Sequence, residues 1–370
     1  MFSGVQLSQW MATDSYVANP IRTPSDSVVA YRNSELYCSY AKDSGTVTNI
    51  SAEGMTVKYD NGNEEKFPLG YEVGKGAGEY HKHNKITDMK VGDKVDKGDV
   101  LAWDDCFYTR DLTNSKRIVI KLGTMARIAL VEDQFTFEDS IGITQKYADL
   151  NTTPYLKNNE FRIGYEQAIK LYVKVGDKVE YDQVLADVMD PSSAMFEEEG
   201  GARMAGLDRL GIKQIKAKQA GVISKIDVIY NGDLDTAEES LKSFIQEQDK
   251  LRAKKAKFRE LAATNGNVGG NTSVGKSKVY PNTAAVTITI ESKLTTTTAD
   301  KFVAGNQMKG TVGFIYPEPI YTVDGREVDV KFSLKSLLNR MVLSLRDKLV
   351  ANELNHVYTT RMITKYGRYE

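Results

Sequence analysis

KVGDKVDKGDVLAWDD occupies residues 90–105, and KVGDKVEYDQVLADVMD occupies residues 174–190. The shared opening, Lys-Val-Gly-Asp-Lys-Val, reads as a strand, a turn and a second strand. Gly92 and Gly176 supply the turn, and the flanking valines are expected to pack inward. Each copy has a companion: SGTVTNI at 44–50 for the first, AGVISKIDV at 220–228 for the second. The companion precedes the first copy and follows the second. Two such units with their partners predict two small barrel-sandwich modules.

Outward from the repeat, most of the chain reads as short strands separated by turn signals. Residues 47–67 alternate and then turn at Asp60-Asn61-Gly62, and residues 320–332 form a similar hairpin around Asp324-Gly325. Two helical patterns interrupt the strands. Residues 236–262 carry Leu241, Phe244, Leu251 and Phe258 among charges, which predicts a long, mostly solvated helix. Residues 333–354 place Leu334, Leu337, Leu338, Met341, Leu345 and Leu349 on one face of a second helix. The class is mainly β with helical insertions.

The chain has 370 residues, enough for two or three domains. With 49 Lys+Arg against 50 Asp+Glu, the net charge of −1 gives no global attraction to polyanions. Any nucleic-acid or phosphate site must therefore be a local cluster. Cys38 and Cys106 are too few for a disulfide framework or a paired-CxxC zinc site, which suits a reduced, intracellular setting. The N-terminus lacks the pattern of a signal peptide, and no run approaches the ~18 apolar residues of a membrane span. His81 and His83, in HKHNK, read as a solvated loop.

GNTSVGKS at 270–277 fits the phosphate-loop pattern at Gly270, Gly275, Lys276 and Ser277. A true loop of this kind follows a buried strand and opens a helix whose N-terminus faces the phosphates. Here a charged helix precedes it and a strand-like run with Pro281 follows, the reverse order. The stretch 264–278 reads as a Gly-rich connector, and a nucleotide site is rejected.

Two distant stretches carry a family resemblance. LGTMARIALVEDQFTFEDSIGIT at 122–144 resembles a segment of the β subunit of multisubunit DNA-dependent RNA polymerases, with Phe137-Glu138-Asp139-Ser140-Ile141 matching in full. ADKFVAGNQMKGTVGFIYPEPIYTVDGREVDVKFSLKSLLNRMVLS at 299–344 resembles a later segment of the same subunit. There Asp300-Lys301, Lys309-Gly310, Asp324-Gly325, Val328-Asp329 and Arg340-Met341 recur. Weaker matches, the repeat among them, fill the interval, so the resemblance spans roughly 20–345. It departs at VAGNQMKG, where the family carries an additional Arg and His.

The resemblance implies a double-psi β-barrel interrupted by a flap domain, with barrel-sandwich hybrid modules. It places an N-terminal segment at 1–30, a hybrid module at 31–116 and barrel halves at 117–145 and 279–335. A flap-like insertion at 146–278 holds the 236–262 helix and the linker, and 336–370 form a C-terminal helix and tail. It also implies a split, divergent subunit, as in large-genome (jumbo) bacteriophages, acting in the host cytoplasm or carried in the virion. Lys301 and Lys309 match lysines near the RNA 3′ end and the incoming nucleotide, and Arg340 matches an arginine on the triphosphate. Glu138 and Asp139 match an acidic pair near the second Mg2+, an ion held mainly by the partner β′ chain. Implied partners are a β N-terminal fragment, β′ fragments, template DNA, RNA and nucleoside triphosphates, with no membrane. Other readings are a non-catalytic scaffold or virion protein that keeps the barrel, and a biotinyl or lipoyl carrier module, which neither repeat fits because no modifiable lysine sits at a hairpin tip.

Overall fold

The structure is a computed structural model. It describes residues 13–18, 28, 30, 35, 37–76, 79–111, 114, 116–190, 211–259, 266–268, 273–274, 277–303, 308–341 and 343–367. Strands dominate, and helices α1 (Gln145–Leu150), α2 (Glu239–Ala256), α3 (Leu334–Asn339) and α4 (Leu343–Tyr366) punctuate them. The chain divides into two compact units. One comprises Met1–Val17, Leu122–Thr153 and Thr295–Glu370, and the other Ala18–Lys121 and Pro154–Leu294. The units are drawn differently from the sequence expectation. Ile118–Gly123 pairs with Tyr108–Arg110, and Thr283–Thr295 pairs along Gly221–Asn231. Residues 117–121 and 279–294 thus group with the repeats.

In the repeat-bearing unit, each copy meets its companion in the same register. Gly45 pairs with Val95 and Thr46 with Lys94; Gly221 pairs with Val179 and Val222 with Lys178. The turn bonds repeat as well. The Gly92 N–H donates to the Val47 carbonyl at 2.8 Å, and the Gly176 N–H to the Ile223 carbonyl at 2.7 Å. The Asp93 and Asp177 carboxylates each accept from the backbone N–H three residues earlier, Lys90 or Lys174, at 2.7 Å. Gly92 and Gly176 have φ of 95° and 98°, where a side chain would be strained. A Cβ on Gly45 would lie 2.4 Å from the Lys58 carbonyl, and one on Gly221 2.3 Å from that of Glu291.

One expectation about the valines is corrected. Val95 and Val179 are buried, but Val91 and Val175 are 62% and 61% exposed. The two members of each pair stand on opposite sides of a left-handed glycine, and the tight turn carries the first one outward. Val95 packs with Val47, Met55, Val57 and Leu101, and Val179 with Ile163, Leu185, Ile223 and Ile288. Burying such a side chain contributes roughly 1.5–3 kcal/mol.

His83 is also corrected. Glu79–Ile86 is a strand, not a solvated loop, and pairs with Gly70–Gly76 and Val100–Asp104. His83 is buried, and its Nδ1 lies 2.6 Å from Oδ2 of the fully buried Asp104. A buried carboxylate needs such partners, and its Oδ1 also accepts from the N–H groups of Asn84 and Cys106. Cys38 and Cys106 are free thiols.

Helix α2 is shorter than the 236–262 pattern and buries Leu241 and Ile245. The Glu238 carboxylate caps it by accepting from the Ser240 and Leu241 N–H groups. Residues 260–265 lie outside the described residues. Beyond them, Ser273–Val274 pairs antiparallel with Ser277–Lys278. Gly270, Gly275 and Lys276 are outside the described residues, and Ser277 enters a strand rather than a helix.

The other unit is built on a five-stranded sheet in the order Ile128–Leu130, Val330–Phe332, Ser140–Thr144, Lys309–Tyr316, Lys301–Val303. The central strand Ser140–Thr144 runs parallel to Lys309–Tyr316 and antiparallel to Val330–Phe332. Ile141, Ile143, Met308, Val312, Val330 and Phe332 form the core with Tyr147 of α1, Leu337 of α3 and Leu345 of α4. The 320–332 hairpin turns at Asp324-Gly325 as expected, with Gly325 at φ 80°. The single helix expected over 333–354 is two helices. Ser333 caps α3, which ends at Asn339, and Met341 at φ 52° breaks the course before α4 runs on to Tyr366. Leu334, Leu338 and Met341 are exposed, and only Leu337 and Leu345 of the expected face are buried.

Candidate functional site

The loop between Leu130 and Ser140 is held at nearly every turn. Thr136 is fully buried, its hydroxyl donating to the Val131 carbonyl at 2.8 Å and accepting from the Asp133 N–H at 2.9 Å. Phe135 stacks on Phe314 with centroids 3.9 Å apart. The Ser140 hydroxyl donates to the Phe135 carbonyl at 2.6 Å, and the Thr311 N–H to the Asp139 carbonyl at 2.9 Å. Gly310 makes this approach possible, since a Cβ there would sit 2.5 Å from the Asp139 carbonyl oxygen. Glu138 takes φ of 53°, uncommon for a residue with a side chain. Phe137, Glu138 and Asp139 all remain exposed.

Lys301 and Lys309 lie on the neighbouring hairpin. Lys301 faces Thr311 and Val303 faces Lys309, so the two lysines are diagonal neighbours on one face. The opposite face carries Phe302 and Gly310, turned toward the core. Both lysines are exposed, and neither forms an ion pair among the described residues. Residues 304–307, between them, lie outside the described residues. Arg340, at the C-terminus of α3, donates from Nη1 to the Lys309 carbonyl at 3.1 Å and from Nη2 to the Asp139 carboxylate. The fold thus joins Arg340, Lys309 and Asp139 directly. Lys301 stands one diagonal away and Glu138 one residue away.

Sequence reasoning missed the supports of this cluster. Asp133 accepts from the Tyr316 hydroxyl at 2.7 Å, the Phe135 N–H at 2.8 Å and Lys331 Nζ at 3.1 Å. Burial alone would raise its carboxyl, but these bonds outweigh burial and hold it down at about 2. Tyr316 is pushed up, first by burial and then by its bond to Asp133. Glu132 accepts from the Lys335 N–H and the Ser333 hydroxyl, both at 2.7 Å, which holds its carboxyl low and secures the start of α3. The Glu132-Asp133 pair was visible just ahead of the matched loop, but its partners lie about 200 positions away.

Glu138 and Asp139 do not amount to a magnesium site by themselves. They are consecutive residues of one loop, Asp139 is already engaged by Arg340, and an octahedral shell needs more oxygens than they offer. Among the described residues, the ligand atoms of Asp104, Asp105 and Cys106 lie within 4.8 Å of one another in the other unit. Both Asp104 oxygens there are taken by His83, Asn84 and Cys106, and the Cys106 thiol is pushed up by burial. That cluster is structural. No helix among the described residues is long and apolar enough to cross a membrane.

The mixed sheet thus brings the exposed Lys301, Lys309 and Arg340 beside the exposed Glu138-Asp139 pair. No family model matches the chain. It is 22% identical over 303 residues to the DNA-directed RNA polymerase subunit beta of Tropheryma whipplei (strain TW08/27), a match covering 78% of this chain and 24% of that subunit. The same figures hold for the subunit of strain Twist. The similarity is that of a distant relative of the bacterial RNA polymerase β subunit, and the chain spans about a quarter of the length of the curated relatives it matches.

Proposed function

We propose that the chain is a β-subunit segment of a multisubunit DNA-directed RNA polymerase, a nucleotidyltransferase active only as a complex. The observation that carries this reading is the junction of Arg340, Lys309 and Asp139 beside Lys301. Elements far apart in sequence come together there, and they are the stretches that resemble the β subunit. In this reading the five-stranded sheet belongs to a double-psi barrel. The repeat modules would serve as hybrid and flap domains of a split subunit of bacteriophage type, working in the host cytoplasm or from the virion.

Nucleotide addition brings an anionic triphosphate against an anionic RNA end, so positioning and charge neutralisation carry much of the work. Lys301 and Lys309 would hold the RNA end and the incoming nucleotide, and the Arg340 fork would take triphosphate oxygens. Magnesium, held mainly by a β′ chain, would supply the remaining positive charge. Glu138 and Asp139 would orient that ion's water or the substrate phosphates. Partners would be β and β′ fragments, template DNA, RNA and nucleoside triphosphates. The reading is tested by capturing the chain from its native source and identifying co-purifying proteins by mass spectrometry. A partner with an Asp-rich catalytic loop, and RNA synthesis by the captured assembly but not by the isolated chain, is the expected result. Synthesis by the chain alone, or capture without any such partner, overturns it.

A further inference from the structure

We propose that Phe137 is a stacking platform for an unpaired nucleobase at the Lys301–Lys309–Arg340 face. The proposal rests on the polymerase reading and names the part of the nucleic acid that this loop would receive. The loop carries two phenylalanines with opposite fates. Phe135 is half-buried and stacked on Phe314, whereas Phe137, two residues on, is 63% exposed. The exposure is not that of a loose tip. The buried Thr136 separates the two phenylalanines in sequence, and the Ser140 N–H donates to the Phe137 carbonyl at 3.0 Å. A loop pinned on both sides keeps one aromatic ring in water, at a position followed by a left-handed Glu138.

The surroundings favour a nucleic acid over a protein partner. Lys335 places its ammonium 6.0 Å from the Phe137 ring centroid, and Arg340 closes the same helix, α3. The acids nearby are mostly spent: Asp139 on Arg340, Asp133 on Lys331 and Tyr316, Glu132 on the start of α3. Lys301, Lys309 and Lys335 form no ion pairs among the described residues; the carboxylates beside them are Glu138 and Asp300, the latter accepting from the Thr297 N–H. An exposed ring bordered by unmatched cations is the arrangement that binds single strands, the cations tracking phosphates while a base stacks on the ring. A purely apolar docking site would be depleted of charge at its centre.

The test substitutes Phe137→Trp, Phe137→Tyr, Phe137→Leu and Phe137→Ala in the chain, and in the captured assembly. Three probes separate the sources of the base: adenosine triphosphate, a short oligoadenylate RNA and a short oligodeoxyadenylate. In the Trp variant, at least one probe is expected to quench the added indole fluorescence, and that probe identifies the source. For the same probe, Phe137→Leu and Phe137→Ala should weaken binding by roughly 5- to 100-fold, while Phe137→Tyr stays within about twofold of the parent. Absence of quenching by all three probes, or a leucine variant that binds as tightly as the parent, overturns the platform. So does a loss of partner chains in the alanine variant with nucleotide binding unchanged, which would make Phe137 part of a protein interface. An assembly that synthesises RNA while its Phe137 variants behave like the parent sinks this proposal alone. Capture without polymerase partners sinks the reading beneath it.

Discussion

Arg340 spans Asp139 and Lys309, giving one arm of its guanidinium to a carboxylate and the other to a backbone carbonyl. The arginine belongs to the end of α3, the aspartate to the loop before the central strand and the lysine to the start of the adjacent strand. One side chain therefore fixes three elements at the point where the unmatched cations gather. A bound phosphate would compete with Asp139 for Nη2 and with the Lys309 carbonyl for Nη1.

Arg340→Ala and Lys309→Ala are expected to slow single-nucleotide extension on a preassembled RNA–DNA scaffold by roughly 10- to 100-fold. This corresponds to losing one charge-assisted phosphate bond, at about 1.4 kcal/mol per factor of ten. Co-purification with partner chains should survive, because both side chains are exposed. Lys254→Ala, on the exposed side of α2, serves as control. Extension by the two variants at the control's rate would remove these residues from the site.

Asp133 should make stability depend on acid. Its carboxyl sits at about 2 in the folded chain, below the unfolded value near 3.8. The group therefore contributes stability that is fully present above about pH 4 and is lost as pH falls through about 2. Asp133→Asn should destabilise the chain by roughly 2 kcal/mol at neutral pH and flatten that part of the acid profile. Denaturant unfolding across pH 2–5 measures both, and a variant that unfolds with the parent's profile contradicts the assignment.

The close backbone approaches in the repeats should be intolerant of a methyl group. Gly45→Ala and Gly221→Ala each put a Cβ within 2.4 Å of a carbonyl oxygen, so each should cost about 1–3 kcal/mol. Gly123→Ala meets nothing within 4 Å and should change stability by less than about 0.5 kcal/mol. Equal thermal shifts for all three would show that the shared register is not what holds the modules.

Lys276→Ala should leave nucleotide incorporation by the assembly unchanged, because Ser277 enters a strand and no helix opens there. Loss of most incorporation in that variant would restore the phosphate-loop reading.

What the sequence revealed follows from how local each determinant is. The repeats were legible because glycine turns and strand alternation act over a few residues, and Gly92 and Gly176 took the turns assigned to them. The outward Val91 and Val175 were not, since composition does not say on which side of a left-handed glycine a side chain emerges. His83 looked like part of a polar loop because the buried carboxylate that accepts it, Asp104, is 21 positions away. The leucine pattern of 333–354 was read as one helix, yet Met341 breaks it in a conformation that no apolar periodicity encodes. Lys301, Lys309 and Arg340 could be singled out by resemblance, but Asp133, Tyr316 and Lys331 meet only through the sheet.

The order of the companion strands has a topological meaning. In one module the partner strand Gly45–Ile50 comes before its Lys-Val-Gly-Asp-Lys-Val segment; in the other, Gly221–Asn231 comes after it. The pairing register and the turn bonds are nevertheless the same. The two modules are related as circular permutants at this strand pair. Their contacts depend on which residues meet and not on which is synthesised first. The entropy of closing a loop depends on its length and not on its direction, so either order can reach the same pairing. Such a module can be opened at a new surface turn, or entered by a long excursion of chain, without surrendering the pairing that defines it.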